Sequence, residues 1–99
     1  MIIDAHQHFW KYNPVKDAWI DDTMEVIKKD FLPKDLLPIL LANNVKGCIA
    51  VQADQSEEET QFLLDLTKKN HFIKGVIGWV DLCDKNVEQR LEYFSKNNL

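Results

Sequence analysis

The sequence is poor in features that mark several large classes of protein. Its 12 Lys and Arg residues are outnumbered by 16 Asp and Glu residues, and the formal net charge is −4. A protein that binds a nucleic-acid backbone needs a basic stripe, whereas these lysines are scattered among acidic residues. No apolar run approaches the ~20 residues that cross a bilayer. The sequence therefore predicts no nucleic-acid partner and no membrane association.

Cysteine and glycine are also scarce. Two cysteines, Cys48 and Cys83, are too few for a disulfide scaffold. The first residues have neither the basic segment nor the long apolar segment of a secretory signal. No Gly-rich phosphate loop and no Gly-x-Ser-x-Gly nucleophile motif occurs. We therefore expect a reduced, cytoplasmic protein, with Cys48 as a small buried apolar residue.

The chain has enough apolar residues, 45% of 99, for one small core. Short β-prone runs at 2–5, 48–53 and 76–80 alternate with helical segments at 21–29, from an opening at 31–33 to about 44, at 57–70 and after 84. Strands separated by helices pair in parallel through right-handed crossovers. The pattern predicts an α/β fold with three parallel βα units.

Three helix signals refine this prediction. Pro38 is tolerated only if the second helix begins near Lys34 or Asp35, because first-turn N–H groups have no helical partner. Ser56 is expected to cap the third helix, with Glu59 reaching back to complete a capping box. Asp84 is expected to cap the last helix.

A helix end followed by Lys-Gly and a strand occurs twice, at Lys46-Gly47 and at Lys74-Gly75. Residues 96–99 resemble the same helix end. The repeat predicts that residues 1–99 are the N-terminal part of a longer βα array, and the alternative is a complete three-strand module. Open edges and an uncovered apolar sheet face favour self-pairing. We therefore expect this chain alone to self-associate.

His6 and His8 are the first candidates for chemistry. Residues two apart on a strand point to the same face, so both imidazoles can reach one metal ion. The pair lies at the C-terminal end of the first strand, where barrel and open-sheet enzymes build their sites. The alternative is two solvated histidines at a polar strand end. Asp4 either orients one of these ligands or caps local backbone groups.

Polar and aromatic residues also follow the second and third predicted strands. Gln52 and Asp54 end strand 2, and Trp79 and Asp81 end strand 3. A glutamine offers both a donor and an acceptor to a substrate hydroxyl or carbonyl. Ordinary loop polarity is the alternative for each. His71 precedes strand 3, at the opposite end of the sheet, and is not expected to bind the metal.

The stretch Asp4-Ala5-His6-Gln7-His8-Phe9-Trp10 resembles the opening of the amidohydrolase superfamily. The resemblance is greater to the branch that includes L-fucono- and L-rhamnono-lactonases. Segments 30–36, 51–53 and 78–82 resemble the same branch, in the same order. The resemblance implies a (β/α)₈ TIM barrel of about 250 residues. Residues 1–99 would then be the first three βα units of that single domain.

The resemblance also implies a site. It assigns one divalent metal, often zinc, to His6 and His8, and it places Gln52, Trp79 and Asp81 near a small-molecule substrate of the sugar-acid lactone class. The expected catalytic base is an Asp on the last strand, beyond Leu99, so the 99-residue chain should be inactive alone. Two alternatives remain open: a decarboxylase of the same superfamily, and a non-catalytic α/β module.

Overall fold

The computed structural model describes residues 1–97. Three strands, β1 (Ile3–Gln7), β2 (Gly47–Val51) and β3 (Ile73–Ile77), form one open parallel sheet in the order β1-β2-β3. Three α-helices connect or follow them: α1 (Pro33–Ala42), α2 (Glu57–Lys69) and α3 (Val87–Ser95). A short 3₁₀ helix spans Asp22–Ile27, with Asp21 as its cap. The predicted α/β class with three parallel strands is confirmed.

The core lies around the central strand. Four of the five β2 residues are buried, because β2 has a strand on each side. The buried cluster consists of Phe9, Leu40, Cys48, Ala50, Leu63 and Ile73. Burial raises the pKa of the Cys48 thiol to about 11, so this side chain stays neutral and packs as a small apolar group, as predicted.

Strand β3 lies three residues earlier than the sequence predicted. Its ladder begins with Ile73, paired with Cys48, and ends at Ile77, whose carbonyl accepts the Gln52 N–H at 2.8 Å. Beyond it, the N–H and carbonyl of Trp79 are both bonded, at 2.8 Å each, to the Thr60 hydroxyl. A side chain of α2 therefore takes the place of a strand partner here, and the extended ladder stops.

Helix α1 begins at Pro33, within the predicted opening at 31–33 and one residue before the start near Lys34 or Asp35 that would ease Pro38. Proline fits the first helical position because no helical N–H is needed there. The Asp35 carboxylate accepts the Leu32 N–H at 3.0 Å and closes the first turn. Pro38 therefore lies in the helix interior, where a missing N–H costs about 3 kcal/mol. Burial of Leu40 against the core offsets part of this cost.

The capping predictions are confirmed in part. The Ser56 hydroxyl accepts the Glu59 N–H at 3.1 Å and starts α2, but the Glu59 carboxylate bonds to the Ala53 N–H and not to Ser56. Asp84 does not cap α3. Its carboxylate accepts the Asn86 N–H at 2.8 Å in a local turn, and the helix starts at Val87.

The two Lys-Gly pairs do not occupy equivalent positions. Gly47 opens β2, whereas Gly75 lies in the middle of β3, opposite Ile49. The sequence repeat therefore does not correspond to a repeat in strand register. Asn98 and Leu99, which belong to the third helix-end signature, lie outside the described residues. Among residues 1–97, no helix is long and apolar enough to cross a membrane.

Candidate functional site

His6 and His8 lie together at the C-terminal end of β1. His6 is within the strand and His8 follows its last residue. Their Nε2 atoms are 3.1 Å apart, with ring centroids at 4.8 Å and ring planes at 76°. Zinc–nitrogen bonds are about 2.0–2.1 Å long, so one ion can reach both Nε2 atoms across this distance. The two-residue spacing predicts this placement, and metal binding itself stays a prediction.

A hydrogen bond to the neighbouring strand orients His8. Its Nδ1 lies 3.0 Å from the carbonyl oxygen of Val51, the last residue of β2. A carbonyl oxygen only accepts, so Nδ1 carries the proton and the lone pair of the neutral ring is on Nε2. This is the arrangement that a histidine ligand needs, with one nitrogen held by the protein and the other turned to the metal.

Asp4 caps local groups, which was one of its two predicted roles. Its Oδ1 accepts the backbone N–H of His6 at 3.0 Å, and its Oδ2 accepts a hydrogen bond from the Gln7 side-chain amide. These two bonds, the backbone one foremost, lower the pKa of the Asp4 carboxyl. The Asp4 carboxylate thus holds the backbone at His6 and is not bonded to the imidazole ring.

The strand that carries the histidines is bulged. Asp4 pairs with Cys48 and Gln7 pairs with Ala50, so β1 has one residue more than β2 over this stretch. Bulges of this kind commonly re-aim a side chain beside a functional site. Here the extra residue lies next to His6.

A cavity of about 670 Å³ opens between the β1–α1 connection and the β2–α2 loop. It is lined by His8, Trp10, Lys11, Lys16, Asp17, Trp19, Ile20, Gln52, Ala53, Asp54, Gln55, Glu58, Glu59 and Phe62. The cavity thus joins one predicted metal ligand, His8, to one predicted substrate residue, Gln52. Its volume is in the range of small-molecule sites.

Glu59 is a buried carboxyl group in the wall of this cavity. Only 4% of the residue is exposed, and its Oε2 accepts the Ala53 N–H at 2.8 Å. Burial raises the pKa of the Glu59 carboxyl, while the Ala53 N–H and the positive charge of Lys16 oppose the rise. The negative charges of Asp54 and Asp17 raise it further. The cavity therefore contains a carboxyl group that is costly to ionise.

Charged groups of both signs surround the cavity. Lys16 Nζ lies 3.4 Å from Asp54 Oδ2, and this ion pair joins the 11–20 loop to the β2–α2 loop. Both side chains are more than a third exposed, so solvent screens the pair and it adds little stability. Across the whole lining, four carboxyl side chains outnumber two lysines.

Trp79 and Asp81 are not brought to this cavity. Trp79 lines a separate, smaller cavity of about 240 Å³, between α2, α3 and the segment after β3. Asp81 is exposed, and its Oδ1 accepts the Cys83 N–H at 2.9 Å in a turn. The contact of Trp79 and Asp81 with a substrate therefore remains a prediction.

Sequence reasoning missed several residues of the site. Trp10 and Trp19 both line the large cavity, and 65% of Trp19 is exposed. Glu59 was interpreted only as a helix cap. A signal was available, because the first turn of a helix that follows a strand faces the C-terminal edge of a parallel sheet.

The described residues do not form a complete metal site by themselves. Within residues 1–97, no group of three His, Cys, Asp or Glu side chains is placed to hold a metal ion. His6 and His8 are two donors, and protein zinc sites use three or four.

The architecture matches that of amidohydrolases of known structure. A crystal structure of an amidohydrolase from Burkholderia multivorans with bound zinc has a TM-score of 0.88 and 39% identity, and the match covers 93% of this chain and 32% of that one. A second crystal form, with bound HEPES, has a TM-score of 0.93 and 37% identity over 100% of this chain and 34% of that one. The resemblance to amidohydrolases seen in the sequence is confirmed.

Curated relatives narrow the comparison. An L-fucono-1,5-lactonase of Burkholderia ambifaria is 41% identical over 80 residues, which are 81% of this chain and 28% of that protein. An L-fucono-1,5-lactonase of Burkholderia multivorans is 40% identical over 89 residues, which are 90% of this chain and 30% of that protein. The chain therefore spans less than a third of these relatives' length. No protein-family model matches it.

Proposed function

We propose that residues 1–99 are the N-terminal part of a single TIM-barrel domain, in a metal-dependent hydrolase that opens a sugar-acid lactone by attack of water. His6 and His8 hold the metal, which we propose to be zinc. The observation that carries this proposal is the convergence of two imidazole Nε2 atoms to 3.1 Å, with the His8 tautomer set by Val51. The catalytic base lies beyond Leu99.

The relatives support the choice of reaction. Proteins named L-fucono-1,5-lactonase match 81% and 90% of the chain, and a similar amidohydrolase structure contains zinc. They favour a lactonase over a decarboxylase of the same superfamily. When bound, a divalent ion acts as a Lewis acid on a carbonyl oxygen and assists attack by water.

Other residues of this chain orient the two histidines or border the space for the substrate. Val51 fixes the His8 ring, and Asp4 fixes the backbone at His6. Gln52 borders the same cavity as His8 and offers an amide to the substrate. Trp79 and Asp81 are proposed to meet the substrate from the β3 side. A cytoplasmic location stays a prediction.

Zinc titration tests the proposed ligand pair. Calorimetry of the 99-residue chain should show weak zinc binding, because two donors hold the ion only loosely. We expect His6→Ala or His8→Ala to lower the affinity for zinc by about tenfold or more. Loss of a group that merely orients a metal ligand already costs about this factor, and these variants remove a ligand itself. His71→Ala is the matched control, because it removes an exposed histidine far from β1's C-terminal end. Identical isotherms for wild type and His8→Ala would contradict the proposal.

An activity assay tests whether residues 1–99 can catalyse the reaction without the rest of the proposed barrel. With zinc and sugar-acid lactones, the 99-residue chain should hydrolyse no faster than its His6→Ala variant, because the proposed base and further ligands are missing. Turnover that disappears in His6→Ala would show that the chain is catalytically complete, and would overturn the assignment as a part.

A further inference from the structure

Glu59 is an unusual group to keep in the large cavity. It is 4% exposed, and of its two carboxylate oxygens only Oε2 has a hydrogen-bond partner among the described residues, the Ala53 N–H at 2.8 Å. A buried carboxylate without an ion-pair partner is costly, so an unpaired oxygen in a cavity wall points to a ligand that donates to it. The capping role alone does not require a carboxylate, because an amide oxygen accepts the same N–H.

The remaining cavity wall favours an uncharged ring. Trp10 and Trp19 supply broad aromatic surface, and Gln52 supplies an amide. Four carboxyl side chains border the cavity against two lysines, and one of these, Lys16, is already paired with Asp54. A negatively charged ligand therefore meets net repulsion, whereas a neutral polyol meets acceptors for its hydroxyl groups.

We propose that Glu59 binds a hydroxyl group of an uncharged, polyhydroxylated ring in this cavity, and that the acidic wall disfavours the same molecule once its ring has opened to a carboxylate. This inference rests on the proposed function, because it names what the cavity beside His8 recognises. It makes Glu59 a specificity-determining residue, and it favours release of the anionic product once the neutral lactone has been hydrolysed.

Two probes with the same carbon skeleton test the inference. L-fucose is the neutral ring related to the lactone in the relatives' name, and L-fuconate is the ring-opened anion. Binding to the folded 99-residue chain is measured by saturation-transfer NMR and by tryptophan fluorescence. We expect L-fucose to bind at least about tenfold more tightly than L-fuconate, as a charge-assisted hydrogen bond is replaced by repulsion.

Variants separate the role of the charge from that of the cap. Glu59→Gln keeps an acceptor for Ala53 and should weaken L-fucose binding by about tenfold while narrowing the preference over L-fuconate. Glu92→Gln, on an exposed part of α3, makes the same charge change away from the cavity and should leave both affinities unchanged. Trp19→Leu, at an exposed position, should weaken L-fucose binding without loss of fold.

The outcomes distinguish this inference from the proposed function. Unchanged L-fucose affinity in Glu59→Gln, no L-fucose binding to the folded chain, or a preference for L-fuconate would overturn the inference. Zinc binding that depends on His6 and His8 would still leave the proposed function standing in each case. Zinc binding that is unchanged in both His6→Ala and His8→Ala would overturn the proposed function, whichever sugar binds.

Discussion

The β2–α2 and β3–α3 units have the same order of elements but very different burial. Helix α2 buries five residues, Glu59, Thr60, Leu63, Leu64 and Thr67, and the strand before it is buried at four of five positions. Helix α3 buries none, and β3 has one buried residue, Ile73. Leu91 and Tyr93 of α3 remain about half exposed.

This difference follows from what each helix connects. A right-handed crossover places α2 over the pair of strands that it joins, β2 and β3. Among the described residues, α3 leaves β3 without reaching another strand, so its apolar side chains have no second strand to cover. An ion pair from Arg90 to Glu57, with its shortest distance at 2.6 Å, joins α3 to the start of α2. The contrast supports the proposal that further strands complete the sheet.

The largest expected effect comes from deleting a side chain of the covered helix. Leu63 is 0% exposed, so Leu63→Ala should lower the free energy of unfolding by about 2–5 kcal/mol through lost burial and a cavity. Leu91→Ala, at a position 49% exposed on α3, should cost under about 1 kcal/mol. Urea unfolding measures both. Equal losses would show that α3 is packed as well as α2.

The next largest loss of stability is expected where Gly78, after β3, packs closely against Thr60 of α2. A Cβ on Gly78 would lie 2.6 Å from Thr60 Cγ2, and Thr60 is buried and bonded to Trp79, so Gly78→Ala should cost about 1–3 kcal/mol. Gly75→Ala is the control, because its new Cβ would meet only the Ile49 side-chain end, at 3.2 Å. Thermal unfolding compares the two. A neutral Gly78→Ala would mean that the end of β3 is not held by α2.

Self-association should follow from the less covered unit. Ile77, the last residue of β3, is 56% exposed beside an unpaired strand edge. We expect dimers or larger species by sedimentation, and a melting temperature that rises by a few degrees with protein concentration. Ile77→Lys should weaken the association, whereas Leu41→Lys, on exposed α1 surface, should not. A monomer across a wide dilution series would show that the chain covers its own sheet.

The smallest expected effect is a pH dependence carried by Glu59. Its pKa is raised by burial in the folded chain, so its protonated form stabilises the fold fully below the unfolded pKa, and that stability is lost as the pH rises through the folded pKa. Lys16, Asp54 and Asp17 are the charged groups that face it. The stability gain of Glu59→Gln over wild type should therefore grow from about pH 4.5 upward. Parallel stability curves for the two proteins would contradict this.

Local patterns predicted the strands and their parallel order, because alternation of apolar runs and amphipathic helices is a property of nearby residues. The end of β3 could not be predicted, because it depends on the Thr60 hydroxyl, 19 residues earlier in the chain. The His6–His8 placement was predicted from strand parity. The hydrogen bond from the Ala53 N–H to the Glu59 carboxylate was not predicted. A carboxylate in the first turn of a helix is equally consistent with a capping role and with a position in a cavity wall, so the sequence alone does not distinguish the two.

The bulge in β1 ties the local geometry at His6 to the length of the strand. With one extra residue between Asp4 and Gln7, β1 is paired with β2 on both sides of the bulge. Removing Ala5 would remove the bulge and leave those pairs in place, so the change in backbone direction would be confined to His6 and its neighbours. A one-residue deletion here would therefore alter the geometry of the histidine pair while the strand pairing and the core beneath it stay in place.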